Sequence, residues 1–105
     1  MESAEQLAQK YDEIISETRA IMLAKNHDYG SSWREMRVTS ITDQILVKIK
    51  RVQKLEELER TGEPSRVAEG RVSEYRDIIN YCVFAIIKLR EEGKDENIVI
   101  EIVED

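Results

Sequence analysis

The chain has 105 residues, of which 41% are hydrophobic and 36% charged, and this length fits one compact domain. The apolar fraction is too high, and the counts of four Gly and one Pro are too low, for a disordered protein. Acidic side chains outnumber basic ones by 22 to 16, but residues 1–90 carry fifteen of each, so the excess lies in residues 91–105. This distribution excludes a globally acidic surface and a basic nucleic-acid-binding domain of the usual kind, and we expect no direct binding of duplex nucleic acid.

The apolar residues of the N-terminal segment recur at spacings of three and four, which places them in one stripe on a helix. We predict this helix from about Ala4 to Lys25, with Ser3 as its N-cap. The stripe consists of Leu7, Tyr11, Ile14, Ile15, Thr18 and Met22.

The nine residues Lys25–Trp33 then interrupt the helical pattern with Asn, Asp, Gly and Ser, which all favour turns. Ser32 is predicted to cap a short turn of helix through Met36, with Glu35 as its capping-box partner. The segment is therefore expected to form a loop between helices.

A second long helix is predicted to begin near Ser40, because Ser40 and Asp43 have the spacing of a capping box. It is expected to run to about Arg60, where Thr61–Pro64 stops it.

A third long helix is predicted from Ser65 or Arg66 to Glu92, with Gly70 weakening its first turns. From Ile78 to Ile87 it is apolar nearly all round, as in a central helix that is covered on several sides. We therefore expect one all-α domain over residues 1–105, with a core over about 4–92 and an acidic tail over 93–105. The stretch 97–105 is rich in β-branched residues and is interpreted as a short strand or a frayed end.

Two features of the sequence favour a cytoplasmic protein that does not associate with a membrane. The N-terminus has no apolar segment preceded by positive charge, and the most apolar stretch has about half the length needed to span a bilayer. Cys82 is the only cysteine, lies in an apolar run and is expected to be a buried structural thiol.

Two acids of the third helix have the spacing of a metal-binding pair. Glu74 and Asp77 are three residues apart and share a helical face. Carboxylates one turn apart present oxygens of the kind that Mg²⁺ prefers. The alternative is that they face solvent or pair with Arg71 and Arg76.

The central segment supplies positive charge, with six bases and two acids between Arg34 and Lys54. Lys48 and Arg51 are one turn apart, a spacing at which both side chains reach phosphate oxygens on one side of the helix. An ordinary solvated helix face explains the same pattern.

The loop Lys25–Trp33 combines an acid, an imidazole and two aromatic rings, and loops on a rigid scaffold often carry function. Tyr29 or Trp33 offers a platform for stacking a base, and Gly30 allows close approach of the backbone. The alternatives are a helix–helix turn with Trp33 in the core, and His27 as a hydrogen-bonding loop residue beside Asp28.

Three strings of the sequence resemble the nucleotide modification-associated domain 1 family, a small all-α family. They are Lys25–Trp33, Ser40–Ile45 and Asp77–Tyr81, and the resemblance covers about Lys25 to Leu89. It implies a connection with nucleotide or modified-base metabolism. The substrate-binding residues it suggests, together with those argued above, are Lys25, Asn26, Asp28, Tyr29, Gly30, Trp33, Lys48, Arg51, Asn80 and Tyr81.

The third helix also resembles the last core helix of the MazG-like all-α NTP pyrophosphatases. Glu74–Asp77 matches the E-x-x-D motif that helps that superfamily to hold Mg²⁺. The chain departs from the superfamily on the preceding helix, where the E-E-x-x-E word is absent and the nearest string is Glu56–Glu59.

These patterns lead to one enzymatic hypothesis. A MazG-like bundle of three long helices and a short one would hydrolyse a nucleoside triphosphate to the monophosphate and pyrophosphate. Glu74 and Asp77 are the catalytic candidates and hold Mg²⁺ together with Asp28 or Asp43.

Two alternatives to this hydrolase are a non-catalytic nucleotide-binding or docking module associated with base modification, and a structural helical oligomer. Under each hypothesis a homodimer or tetramer is expected, because one chain offers too little cover for its apolar helix.

Overall fold

The protein is described here from a computed structural model, which defines residues 1–66 and 70–94. Those residues form three long α-helices and one short 3-10 helix, and they contain no strand, so the predicted all-α class is confirmed. The long helices are α1 (Ala4–Tyr29), α2 (Val38–Thr61) and α3 (Arg71–Glu91), and the 3-10 helix (Ser32–Glu35) lies between α1 and α2. The predicted strand or frayed end at 97–105 lies outside the described residues.

Helix α1 is longer than predicted. Ser3 caps it as expected, with its hydroxyl accepting from the Gln6 backbone N–H and the Gln6 side chain accepting from the Ser3 N–H. The C-terminal end was predicted at Lys25, but the helix continues to Tyr29 and stops at Gly30, whose φ is 75°. The turn-forming residues before Gly30 are only weakly unfavourable in a helix, whereas a positive φ ends it.

The start of α2 also differs from the prediction. The helix begins at Val38, with Arg37 as N-cap and no side-chain cap, so the expected capping box of Ser40 and Asp43 does not mark its beginning. Likewise Ser31 rather than Ser32 is the N-cap of the 3-10 helix. The predicted stop after Arg60 is confirmed, because Gly62 adopts the left-handed conformation and Glu63 N–H donates to Leu58 O at 3.0 Å.

Helix α3 begins later than predicted. Ser65 and Arg66 are not helical, and the helix starts at Arg71 with Gly70 as its N-cap. Gly70 therefore acts as a boundary rather than as a weak point inside the helix. At the other end Gly93 has a φ of 70°, and Lys94 N–H donates to Leu89 O at 2.8 Å, which closes the last turn.

Helices α2 and α3 form an antiparallel hairpin that contains the main packing contact of the fold, while α1 meets α3 over a short region. Within the described ranges the buried apolar residues are Ile41 and Val52, both on α2. The apolar run Ile78–Ile87 of α3 is left partly open by this chain, with Val83 and Ile86 exposed. Cys82, predicted to be buried, is exposed, because it lies outside the surface that α3 presents to α1 and α2.

No helix in the described part of the chain combines the length and the apolarity that are needed to cross a bilayer.

Candidate functional site

The side chain of Lys48 on α2 lies between two carboxylates of α3. Its Nζ is 2.9 Å from Oδ2 of Asp77 and 3.5 Å from Oε2 of Glu74. The Lys48 side chain is 13% exposed and the Glu74 side chain 6%. The two acids thus share one face of α3, as their spacing predicts, and both contact the same ammonium group.

A second lysine reaches the same acid from α1. The Nζ of Lys25 lies 3.0 Å from Oδ1 of Asp77, so each oxygen of this carboxylate contacts a different ammonium group. Unlike Lys48, the Lys25 side chain is 55% exposed. Asp77 therefore joins all three long helices, through Lys48, which is largely shielded, and Lys25, which is exposed to water.

These contacts keep Lys48 and Asp77 charged. Burial disfavours the charged form of Asp77, but the hydrogen bonds and positive charges of Lys48 and Lys25 outweigh it and lower the pKa of Asp77 below its ordinary value. Burial also opposes the charge on Lys48, yet the hydrogen bond and charge of Asp77 and the charge of Glu74 raise the pKa of Lys48 above its ordinary value. At neutral pH the pair is thus a full ion pair.

A cleft of about 310 Å³ opens beside this cluster, within the size range of small-molecule pockets. The C-terminal end of α1 and the 3-10 helix form one wall, and α2 and α3 form the other. Nine residues that the sequence marks as site candidates line this cleft: Lys25, Asn26, Tyr29, Gly30, Trp33, Lys48, Asp77, Asn80 and Tyr81. Residues distant in sequence therefore meet at one place.

The aromatic rings at the cleft have different roles. Trp33 stacks on Phe84 with ring centroids 4.3 Å apart and planes 3° apart, and the guanidinium of Arg34 lies 4.3 Å from the centroid of the same indole. Since Phe84 covers one face, Arg34 must cover the other, so Trp33 has no open face for a base. Tyr29, whose exposed fraction is 80%, has an open ring.

Amide groups add hydrogen-bonding capacity to the cleft. Asn80 Nδ2 donates to the carbonyl of Thr18 at 3.3 Å, which orients its side chain and ties α3 to α1. Asn26 Oδ1 accepts a hydrogen bond from the Ser31 hydroxyl, which links the end of α1 to the turn that follows it. Both amides border the cleft, so each retains groups that face a bound ligand.

Four of the sequence candidates, Asp28, Asp43, Arg51 and Glu74, do not border this cleft. The Asp28 side chain is 61% exposed and contacts His27 Nδ1 at 3.1 Å, and Asp43 is exposed on α2. Arg51 lies one turn from Lys48 but borders a second, wider hollow, together with Glu74. The structure therefore separates Lys48 and Arg51, which the sequence places on one side of the helix.

Glu74 and Asp77 are the acids that the sequence suggests as ligands of Mg²⁺. No group of three or more His, Cys, Asp or Glu residues that could hold a metal ion occurs in residues 1–66 and 70–94. Mg²⁺ needs octahedral oxygen ligation, whereas Glu74 and Asp77 converge on the ammonium of Lys48. As arranged, the pair fits an ammonium group and does not fit Mg²⁺.

Arg71 and Arg76, the alternative partners considered for Glu74 and Asp77, pair with other acids. Arg71 contacts Glu56 at 3.5 Å and Glu59 at 2.9 Å, so the acids nearest to the expected E-E-x-x-E word bind a guanidinium. Arg76 contacts Glu17 of α1 at 2.9 Å. Neither arginine pairs with Glu74 or Asp77, contrary to the alternative considered from the sequence.

Four residues that border the cleft were not singled out as site candidates: Met22, Ser32, Met36 and Phe84. Phe84 follows Asn80 by four residues, so the helical period could have placed both on one face. Met22 was assigned to the apolar stripe of the first helix. No signal in the sequence points to Met36.

Fold and cleft together define an all-α protein with a ligand-sized cleft that combines lysines, amides and an open tyrosine ring. The family model described as nucleotide modification associated domain 1 matches residues 25–89, and the chain belongs to this family. Comparisons with curated proteins and with solved structures gave no significant match. The matched range begins at Lys25 and contains every residue that borders the cleft except Met22.

Proposed function

We propose that the protein binds a nucleotide in the cleft, without turnover and without a metal ion. The observation that carries this proposal is that one cleft joins an open aromatic ring, two amides and an exposed lysine. Aromatic rings stack on any base, and amides hydrogen-bond to base edges. Membership of the nucleotide modification associated family supports the same ligand class.

Lys25 is the group that contacts the phosphate. Its side chain is 55% exposed, and when it leaves Asp77 that carboxylate keeps its contact with Lys48. Lys48 is held in place, because its departure would leave the buried carboxylate of Glu74 without a counter-charge. Lys25 is therefore the cation that binds a ligand, whereas Lys48 stays with Glu74 and Asp77 and stabilises the fold.

The sole tryptophan reports on binding, because Trp33 borders the cleft. The experiment is a fluorescence titration in EDTA with a nucleoside, its monophosphate and its triphosphate, repeated with Mg²⁺. We expect saturable changes with both nucleotides that Mg²⁺ does not strengthen. Lys25→Met should weaken nucleotide binding and leave nucleoside binding unchanged, whereas Lys50→Met, on an exposed part of α2, should alter neither. Absence of binding by every nucleotide and nucleoside in the panel would overturn the proposal.

Mg²⁺-dependent release of pyrophosphate from a nucleoside triphosphate is the second candidate function. The observation that favours it is Oε2 of Glu74, a buried oxygen without a hydrogen-bond partner among the described residues. A metal ion at this oxygen requires Lys48 to move away. Pyrophosphate release that needs Mg²⁺ and is lost in Asp77→Asn, with helicity unchanged, would favour this hydrolase over the binding protein.

A further inference from the structure

The first half of α1 extends away from the rest of the chain. Among the described residues, α1 contacts α3 through Glu17 with Arg76, Thr18 with Asn80, and Lys25 with Asp77. Every residue from 1 to 17 is exposed. We call residues 4–17 the arm.

The arm carries an apolar stripe that nothing in the described chain covers. Leu7 is 58% exposed, Tyr11 64% and Ile14 52%. Their spacings of four and three place them on one side of the helix. In a helix that packed on its own chain, this is the side that would be buried.

A second apolar stripe runs along α3, on the side turned away from α2. It consists of Val72, Tyr75, Val83 and Ile86, each between 44% and 62% exposed. The opposite side of α3 carries Glu74, which faces Lys48 of α2. We call the four residues of this stripe the outer face of α3.

The exposed area is too large for a compact monomer. The chain exposes 8941 Å², whereas a compact monomer of 12.3 kDa exposes about 6,100 Å². The fourteen residues outside the described ranges contribute about 2,400 Å² if they are counted as a fully extended chain. After this area is subtracted, the remaining residues still expose about 1,000 Å² more than a compact monomer of their mass. A standard protein interface removes about 800 Å² from each partner, so one such interface accounts for this excess.

The charged side chains of α3 are largely engaged within the chain. The arm carries four acids and one base, Lys10. Helix α3 carries four bases and three acids, but Glu74 and Asp77 face Lys48 and Glu91 pairs with Arg34. Two of its bases are engaged as well, Arg71 with Glu56 and Glu59 and Arg76 with Glu17, so charge does not indicate what covers the outer face of α3.

We propose that two copies of this chain form a two-fold dimer in which the arm of each copy covers the outer face of α3 in the other. One chain carries both surfaces, so the exchange of arms closes after two copies and leaves neither stripe open. The second copy is the occupant that the structure favours, because its arm supplies an uncovered apolar stripe and one interface between copies accounts for the excess area.

The first test measures molar mass by light scattering after size exclusion, at micromolar concentrations of the full chain. The wild type should have twice the mass of 12.3 kDa. Ile14→Asp, on the stripe, should give the mass of one chain, whereas Ser16→Asp, an exposed position on the other side of the arm, should remain dimeric. A wild type with the mass of one chain up to about 100 times the concentration first used would overturn the proposal.

The second test distinguishes a dimer with exchanged arms from dimers that associate through other surfaces. Val83→Lys should also be monomeric alone. A mixture of Ile14→Asp and Val83→Lys should recover dimers, because one interface is then wild type on both sides and the other pairs Asp with Lys. Failure of this mixture to dimerise, with each variant retaining its helicity, would contradict pairing of the arm with α3. The exposed Cys82 next to Val83 supplies an independent readout, since a maleimide should label it more slowly in the dimer than in Ile14→Asp.

Discussion

The ammonium of Lys48 lies 2.9 Å from Oδ2 of Asp77, and this ion pair joins the two helices that make the main packing contact of the fold. Both side chains are largely shielded from water, with exposed fractions of 13% and 17%. A pair at this depth is costly to break, because the remaining charge loses its counter-charge but not its burial. The pair therefore contributes both to the stability of the helical hairpin and to the character of the cleft.

Acid should destabilise the protein partly through Asp77. Its pKa is lowered in the folded protein, so its contribution to the free energy of unfolding is complete above the ordinary value of 3.8 and is lost as the pH falls through the folded pKa. In Asp77→Asn this part of the acid dependence should vanish. The measurement is urea unfolding between pH 2 and 7, and Asp43→Asn, at an exposed position, should keep the wild-type slope. Equal slopes in Asp77→Asn and wild type would contradict this assignment.

Alkali should act through Lys48 with the opposite sign. Its pKa is raised in the folded protein, so the stabilisation is complete below the ordinary value of 10.5 and is lost as the pH rises through the folded pKa. Lys48→Met should therefore unfold with less dependence on pH above 10 than the wild type. Lys50→Met, which changes an exposed lysine of the same helix, should keep the wild-type dependence.

Removal of Lys48 should also destabilise the fold at neutral pH. Lys48→Met leaves Glu74 buried without a counter-charge, and we expect a loss of about 2–3 kcal/mol in the free energy of unfolding, the cost of leaving a buried charged group without its partner. Glu74→Gln in the same chain should restore part of this loss, because the buried group is then neutral. A double-mutant cycle by urea unfolding measures the coupling, and a coupling near zero would show that the two side chains act independently.

Two glycines beside helices should respond differently to alanine. Gly62 has a φ of 76°, a conformation that costs residues with a Cβ about 1 kcal/mol, whereas the φ of Gly70 is −97°. A Cβ at either position meets no atom within 4 Å. Gly62→Ala should therefore lower the free energy of unfolding by about 1 kcal/mol, and Gly70→Ala should change it much less. Equal losses in the two variants would show that the positive φ is not the cause.

The open ring of Tyr29 should contribute to nucleotide affinity and little to stability. Its exposed fraction is 80%, and stacking of a base on an aromatic side chain contributes about 1–3 kcal/mol. Tyr29→Ala should raise the dissociation constant of a nucleotide accordingly, while the melting temperature of the free protein stays near the wild-type value. Tyr29→Phe keeps the ring and should bind as the wild type does, so weaker binding by this variant would indicate that the hydroxyl carries the interaction.

The sequence predicted the helices better than their ends. Apolar spacing identified α1, and the residues that start and stop helices identified α2 and α3. The cap at Ser3 and the stop at Gly62 were found because one local hydrogen bond or one φ value decides them. The capping box predicted at Ser40 failed, since the same residue types also occur inside a helix that begins earlier. A helix continues through residues that only weakly favour turns as long as their φ angles stay negative. This is why α1 reaches Tyr29.

Nine predicted site residues meet in the cleft, yet the partner of the two acids was not predicted. The spacing of Glu74 and Asp77 showed that they share a face, but a one-dimensional pattern contains no distance between α2 and α3. Lys48 was read as a phosphate contact, and only the antiparallel packing brings it against the acids. The burial of Cys82 was predicted wrongly for a related reason, since an apolar run does not say how many sides of a helix one chain covers.

Helix α1 is one continuous element of 26 residues that meets α3 near its middle, at Thr18. Leu7 and Tyr29 lie eleven residues to either side of this point, about 16 Å away in each direction. One half of the helix therefore carries the apolar stripe, and the other half, of equal length, forms a wall of the cleft. Because the proposed dimer contact and the proposed nucleotide site use the same helix, any effect of association on nucleotide affinity must be matched by an equal effect of the nucleotide on association.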